Sequence, residues 1–483
     1  MAEHYKLWIN GEWAEAESES VFSVINPATG LEFATTSAAK RGDARKAIDA
    51  ARDAFDNTNW SASPPLRASV LRKAADLLRK DVDILARTET LDNGMPIGWA
   101  KRFVMDTADF FDYFAGLTRP LEEQLDEHST VVYEPIGVAA GIVPWNLPLK
   151  MASWKVAPAL AAGDTVVLKP SSQTPLTALK LGEIFHLAGC PAGVMNVIAG
   201  QGSVVGAELA GSTKVDKVAF TGGTETGKEV MRLASANLKK ITLECGGKSA
   251  NMILTDADIA KAVKGTVFAI FFNAGQVCTA GSRLLLPESV HDRFMEHLIR
   301  ETGKLRIGDG LTDPDMGPVI SARQMEKDLE HIEYGTRDGA KLVFGGKRLD
   351  MGAGGASGVD GVGGVGGFFV EPTVFDDVAP DMRIAQEEIF GPVLSVLTYG
   401  DEDEAIEIAN GTRYGLAGAV WSEDITHAKQ VACRIAAGTV WINTYHGAPK
   451  HAPFGGYKES GIGRELGVHG LREYLEVKHI MVG

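Results

Sequence analysis

Cys278 and Glu244 are the two residues whose surroundings look built for chemistry. Cys278 follows the run Phe271-Phe272-Asn273-Ala274-Gly275-Gln276-Val277 and precedes Thr279-Ala280-Gly281-Ser282-Arg283. Gly275 and Gly281 on either side let the backbone turn tightly and a ligand come close. A nucleophilic thiol needs a favoured thiolate and open access, and this glycine-bounded segment suits exposure better than deep packing. The usual partner of such a cysteine is histidine, and none lies near Cys278 in sequence. Glu244 ends an apolar strand in Leu243-Glu244-Cys245-Gly246-Gly247-Lys248-Ser249. An ordinary carboxylate is too weak a base to activate a thiol strongly, but it can activate water. The pair points to a two-step acyl transfer, with attack by Cys278 and hydrolysis assisted by Glu244.

A third candidate sits in Pro144-Trp145-Asn146-Leu147-Pro148. An Asn held between prolines at a strand end can donate its amide to an oxyanion, or can simply serve the turn. The turn Thr221-Gly222-Gly223-Thr224-Glu225-Thr226-Gly227-Lys228-Glu229 contains G-x-x-x-x-G-K. A phosphate loop needs Ser or Thr where Glu229 stands, so a triphosphatase reading is poor. A glycine turn opening a helix whose N–H groups face a pyrophosphate fits better.

The elements that must carry these residues follow from hydrophobic spacing. Asn10-Gly11 is a hairpin signal. From Asp43, placed as an N-cap, Ala47, Ile48, Ala51 and Phe55 recur at helical spacing. Further helices are expected from about Pro65 and through Phe103–Phe114, in a region read as scaffold without chemistry. Strands at 137–143, 165–169, 194–198, 217–220 and 241–244 alternate with helices near 151–162, 176–188, 202–210 and 224–234. That alternation predicts an α/β fold with a parallel sheet covered on both faces, and ligands beyond the strands' carboxyl ends. Lys169, the turn after Phe220 and Glu244 all stand at such ends. A second α/β block begins after Gly247, with a strand at 250–254 and a helix over 259–271. Ser129–Pro135 reads as a strand-like arm, and residues 352–367 as a flexible, glycine-rich loop.

Composition excludes several classes. The 483 residues carry a formal net charge of -15, which argues against nucleic acid as a partner, since no basic stripe supplies phosphate contacts. No basic start with an apolar core marks a signal peptide, and no apolar run reaches the roughly 18–20 residues of a membrane helix. A cytoplasmic protein is expected. Cys190, Cys245, Cys278 and Cys433 are scattered without C-x-x-C spacing, so neither a disulfide framework nor a metal site is expected.

The motifs together resemble the NAD(P)-dependent aldehyde dehydrogenases across essentially the whole chain. They are Pro144-Trp145-Asn146, Lys169-Pro170, Phe220-Thr221-Gly222, Leu243–Lys248, Gly275-Gln276-Val277-Cys278, Glu388-Ile389-Phe390-Gly391-Pro392 and Pro453-Phe454-Gly455-Gly456-Tyr457-Lys458. The resemblance implies a Rossmann-like coenzyme domain over 1–117 and 137–246, a catalytic domain over 247–445, and oligomerisation or bridging elements at 118–136 and 446–483. It implies a homodimer or homotetramer assembled through the small β arm.

It also implies roles. Cys278 would form a thiohemiacetal and then a thioester, Asn146 and the Cys278 N–H would hold the oxyanion, and Glu244 would activate water. Ile142, Trp145, Lys169, Ser172, Gly222, Gly223, Glu388 and Phe390 would bind NAD or NADP. Leu147, Met151, Trp154, Val277, Thr279 and Tyr445 would line the aldehyde channel, with Lys150, Lys450 and His451 hinting at an anionic substrate tail.

Three departures stand out. Cys245 replaces a common Leu, the run at 352–367 is an insertion, and Ser172 replaces a frequent Glu that repels a 2′-phosphate. The last predicts that NADP is accepted. Rival readings are a CoA-acylating semialdehyde dehydrogenase, in which a thiol takes the acyl group, and a non-catalytic member of the fold.

Overall fold

The computed structural model describes residues 3–351 and 366–483. Most of the glycine-rich run expected at 352–367 lies outside the described residues.

Five parallel strands form the centre of the first sheet: β1 (Val138–Ile142), β2 (Thr165–Lys169), β3 (Met195–Val197), β4 (Lys217–Thr221) and β5 (Lys240–Glu244). Their spatial order is 3-2-1-4-5, so the connection reverses direction between β1 and β4. That reversal opens a crevice at the carboxyl ends of β1 and β4, the usual ligand site of an open α/β sheet. Nearly every residue of these strands is buried, as a sheet covered on both faces requires. Antiparallel strands Leu7–Ile9 and Glu12–Ala14 extend one edge, joined through Asn10 and Gly11 at positive φ. Gly461–Ile462 from the end of the chain closes the other edge against β5.

Helices pack around this sheet: α1 (Ile97–Ala115), α2 (Pro148–Ala162) and α3 (Thr224–Ala234) are those that reach the crevice. The expected helix near 202–210 begins instead as a π-helical turn, Gly202–Gly206, before an α-helical Ala207–Gly211. Asp43 is not an N-cap. It is the third residue of helix Arg41–Asn57, where its carboxylate accepts from the Lys40 N–H at 2.8 Å and the Glu17 N–H at 2.9 Å.

The second sheet has six parallel strands: β6 (Ala250–Ile253), β7 (Arg283–Pro287), β8 (Thr373–Asp376), β9 (Val393–Tyr399), β10 (Ala417–Trp421) and β11 (Thr439–Ile442). They lie in the order 8-9-7-6-10-11, with Lys341–Phe344 antiparallel at one edge. Helix α4 (Ile259–Phe271) links β6 to the Cys278 loop, and α5 (Ala322–Arg337) lies under the Glu388–Phe390 segment. The arm Ser129–Pro135 is a strand, as expected. It pairs antiparallel with Leu121–Gln124 on one side and with the C-terminal strand Leu475–Met481 on the other. Among the described residues no helix is long and apolar enough to cross a membrane, and no cluster of His, Cys, Asp or Glu could hold a metal ion.

Candidate active site

A cavity of about 660 Å³ opens between the two sheets. Cys278, Glu244 and Asn146 all line it, although Cys278 follows α4, Glu244 ends β5 and Asn146 follows β1.

The Cys278 loop is set by an unusual turn. Asn273, Ala274 and Gly275 take φ of 51°, 54° and 72° in succession. A non-glycine residue in this left-handed region costs on the order of 1–3 kcal/mol and persists only where its surroundings enforce it. Here they do. The Asn273 amide donates to the Asn146 carbonyl at 3.1 Å, and the Gln276 side chain donates to Asn273 O at 3.1 Å while accepting from the Ile320 N–H at 2.7 Å. A Cβ at residue 275 would lie 2.1 Å from Gly391 O, so glycine is required there by space as well as by φ.

Asn146 is a fixed donor. Its Nδ2 gives one hydrogen to Gln276 O at 2.9 Å, and an amide nitrogen carries two. Asn93 holds the backbone behind it, donating to Trp145 O at 2.7 Å and Asn146 O at 3.1 Å. The second hydrogen is thus available to a developing oxyanion, together with the Cys278 N–H, which with the Thr279 N–H favours a negative sulfur.

Cys278 is half-buried. Burial, then the carboxyls of Glu388 and Glu244, push its thiol up to about 12. A histidine does reach the cavity, but it is engaged elsewhere. His446 bonds Thr279 Oγ1 at 3.1 Å and Ala269 O at 3.1 Å, and burial lowers it to about 4, so it is a neutral ring. Its place 168 residues after Cys278 gave sequence reasoning nothing to find it by.

Glu244 differs from the ordinary carboxylate assumed from sequence. It is buried, and both carboxyl oxygens lack a partner among the described residues. Burial and then Glu465 raise it well above the usual carboxylate range, with Lys155 and Arg464 opposing. Lys155, itself buried, donates to Glu465 and to Thr221 Oγ1, the latter at 2.6 Å. A carboxyl of raised pKa is better matched to proton transfer near neutrality.

The cofactor candidates divide. Trp145, Gly222, Gly223, Glu388 and Phe390 line the cavity, whereas Ile142, Lys169 and Ser172 do not. Ile142 and Lys169 are register partners on β1 and β2 at the same sheet edge. Lys169 is buried and lowered to about 8 by that burial, and among the described residues it donates to Pro170 O at 2.7 Å. Glu388 accepts from the Gly247 N–H at 2.9 Å, and a Cβ on Gly246 would strike its carboxylate at 2.2 Å. Phe390 has φ 66° and meets Trp145 edge-on at 5.2 Å. Lys327 and Gln324 of α5 hold that segment from below, donating to Glu388 O at 2.9 Å and Ile389 O at 3.0 Å.

All six expected channel residues, Leu147, Met151, Trp154, Val277, Thr279 and Tyr445, line the cavity. Sequence reading missed Trp99 and Phe103 of α1, which overturns the view of that region as scaffold alone. Phe268 and Phe272, one turn apart before Cys278, were a legible signal left unused. Of the three charged residues expected at the mouth only Lys150 lines the cavity; Lys450 pairs instead with Asp109 at 3.4 Å. Cys245 is buried with its sulfur where a Cβ on Gly227 of α3 would fall, 2.7 Å away, which favours packing as its role.

Residues 13–480 match the profile described as the aldehyde dehydrogenase family. A betaine aldehyde dehydrogenase of Bacillus subtilis is 48% identical over 98% of this chain and 96% of its own length. Human retinal dehydrogenase 2 is 44% identical over 99% and 91%. Among solved structures, an NAD+ complex of aldehyde dehydrogenase from Bacillus cereus superposes with a TM-score of 0.94 at 41% identity, covering 100% of this chain and 97% of that one. Betaine aldehyde dehydrogenase from Staphylococcus aureus, also with NAD+, gives 0.93 at 43% identity, covering 99% and 94%.

Proposed function

The chain belongs to the aldehyde dehydrogenase family, and we propose that it oxidises aldehydes to carboxylic acids at the cavity around Cys278, with that thiol as nucleophile. The observation that carries the reading is the convergence of Cys278, the Asn146 amide and the unpartnered Glu244 carboxyl on one cavity from three separate elements.

The Cys278 thiol gives up its proton to water in the cavity as Sγ bonds to the aldehyde carbon, and the carbonyl π pair moves to the oxygen, which takes the negative charge. The free Asn146 N–H and the Cys278 N–H meet that oxygen. A nicotinamide dinucleotide, when bound, supplies the acceptor for the hydride that leaves this carbon. The residues fit such a group. Nothing lies within 4 Å of where a Cβ on Gly223 would stand, at the start of the 11-residue α3, and Glu388 offers a carboxylate to a ribose diol. Lys169 offers a buried amine that, among the described residues, has no acidic partner and donates to Pro170 O. Loss of hydride leaves a thioester on Cys278. Glu244 takes a proton from water, hydroxide adds to the thioester carbon, and the C–S bond breaks to release the acid. Glu465 and Lys155 lie behind Glu244 as the polar groups next in line.

Hydrolysis is favoured over transfer to a thiol cosubstrate because Glu244 lines the cavity with both carboxyl oxygens buried and, among the described residues, without a hydrogen-bond partner, leaving them to take a proton from a water that enters. The test is transient kinetics. Cys278→Ala should abolish reduced-coenzyme formation, while Glu244→Gln should give one burst and then stall. Persistent turnover in the first variant, or no burst in the second, sinks these assignments. Release of acyl-CoA in place of free acid would favour the rival reading.

Three finer readings accompany this one. NADP is accepted beside NAD, because Ser172 presents no negative charge to a 2′-phosphate. The chain assembles as a homodimer or homotetramer through the strand Leu475–Met481, whose Val477 and Met481 are 62% and 73% exposed on an open sheet edge. It acts in the cytoplasm as units divided at residues 117, 137, 247 and 446.

A further inference from the structure

One wall of the channel already contains two cations, each on an aromatic face. Lys150, in the first turn of α2, points its Nζ at the Phe103 ring from 4.5 Å and lies 3.4 Å from the Asp106 carboxylate. Arg102 lies over the Trp99 ring at 5.2 Å. All five residues line the cavity. The Lys150 side chain is only 12% exposed, so its charge is poorly screened and belongs to the channel, not to bulk solvent.

This geometry bears on what the channel can take. A quaternary ammonium has no N–H and is recognised by aromatic faces and by carboxylates nearby. Here Phe103 and Asp106 offer that combination, and Lys150 uses both. Trp99, the neighbouring ring, is covered by Arg102. A substrate cation would meet two like charges and no free acid on this wall. Next to Trp99, Phe268 and Phe272 pack against the neutral His446 ring at 5.3 Å and 5.4 Å. These walls are flat, apolar and uncharged, and they suit a ring.

We propose that the substrate is an uncharged aldehyde with a ring-bearing body, and that Lys150, seated on Phe103 beside Asp106, is the residue that excludes aldehydes ending in a quaternary ammonium. This rests on the reading of the cavity as an aldehyde-oxidising site. It runs against the simplest transfer of substrate from the 48% identical betaine aldehyde dehydrogenase. It also replaces the anionic tail hinted at by Lys150, whose Nζ is already engaged by the Phe103 ring and the Asp106 carboxylate.

The experiment compares kcat/KM for benzaldehyde and for trimethylammonioacetaldehyde, with NAD, in wild type, Lys150→Met and Lys150→Arg. Wild type should favour benzaldehyde. Lys150→Met frees the Phe103 face and the Asp106 carboxylate, and should raise the ammonium-to-benzaldehyde ratio about tenfold or more. Lys150→Arg keeps the charge and should hold the ratio near the wild-type value, which a merely structural effect of residue 150 would not do. Preference of the wild type for the ammonium aldehyde overturns the proposal, and that measurement needs no variant to fold. So does a ratio that is the same in all three proteins. Failure of the wild type to oxidise either compound, or any other aldehyde, would instead strike the reading of the site itself.

Discussion

At Cys278 the protein holds a thiol raised to about 12, beside a Glu244 raised in the same direction for the same reason, burial. The raised carboxyl suits Glu244 to handle protons near neutrality. Coenzyme choice is decided at the same scale. Ser172 is half-buried near Lys169, the buried cation at the end of β2. Substituting Ser172→Glu should place a carboxylate where a 2′-phosphate would come. The NADP-to-NAD ratio of kcat/KM should then fall at least tenfold, read by absorbance of the reduced coenzymes with one aldehyde. A wild type with negligible NADP activity would refute the premise. Cys278, Glu244 and Asn146 were legible because each breaks its local pattern: a thiol between glycines, an acid ending an apolar strand, an Asn between prolines. His446 and the Lys155–Glu465 pair were not. A contact spanning 310 residues leaves no local trace.

Among the elements, helix Val82–Asn93 does the most for its length. Helices α2 and Leu176–Leu187 have no side-chain cap of their own. The Leu149 N–H donates to Glu89 at 3.1 Å, and the Leu176 N–H donates to Asp92 at 3.1 Å. Two turns of one helix thus cap two others, and Asn93, at the end of the first, fixes Asn146. The cost is buried acid. Burial raises Glu89 to about 7 and Asp92 well above its ordinary value. An acid raised on folding binds more protons in the native state. Its contribution to stability is therefore complete below the unfolded carboxylate pKa and is lost as pH climbs through about 7. Glu89→Gln keeps a carbonyl acceptor for Leu149 and cannot ionise. Its stability relative to wild type should be greater at pH 8.5 than at pH 5.5 by up to about 2 kcal/mol, read as a relative rise in melting temperature. A pH-independent difference in differential scanning fluorimetry would rule this out. None of it could be read from sequence, where Glu89 and Asp92 look like the solvated face of a helix.

Over the whole molecule, the parallel sheet follows from alternation that was visible, and the strand ends fell within one or two residues, whereas the 3-2-1-4-5 order was not read from it. What the alternation lacked was docking: how α1 meets α4, or why Gly461–Ile462 returns to the edge of β5. These contacts depend on tertiary packing that no local period encodes. The exposed edge of Leu475–Met481 is a liability for an isolated chain. Light scattering should therefore find a dimer or tetramer, and a chain ending at Tyr474 should fall to monomer and aggregate more readily. A monomeric wild type would count against assembly through this strand.

The left-handed turn at residues 273–275 also has a consequence in time. Its braces come from both directions along the chain: Asn146 behind it, Ile320 and Gly391 ahead. A ribosome delivers Cys278 before either of the later two. Until they dock, only the Asn146 contact among these braces opposes the strain of Asn273 and Ala274. The turn that aims the thiol thus has its full set of braces only after residues 320 and 391 have been made.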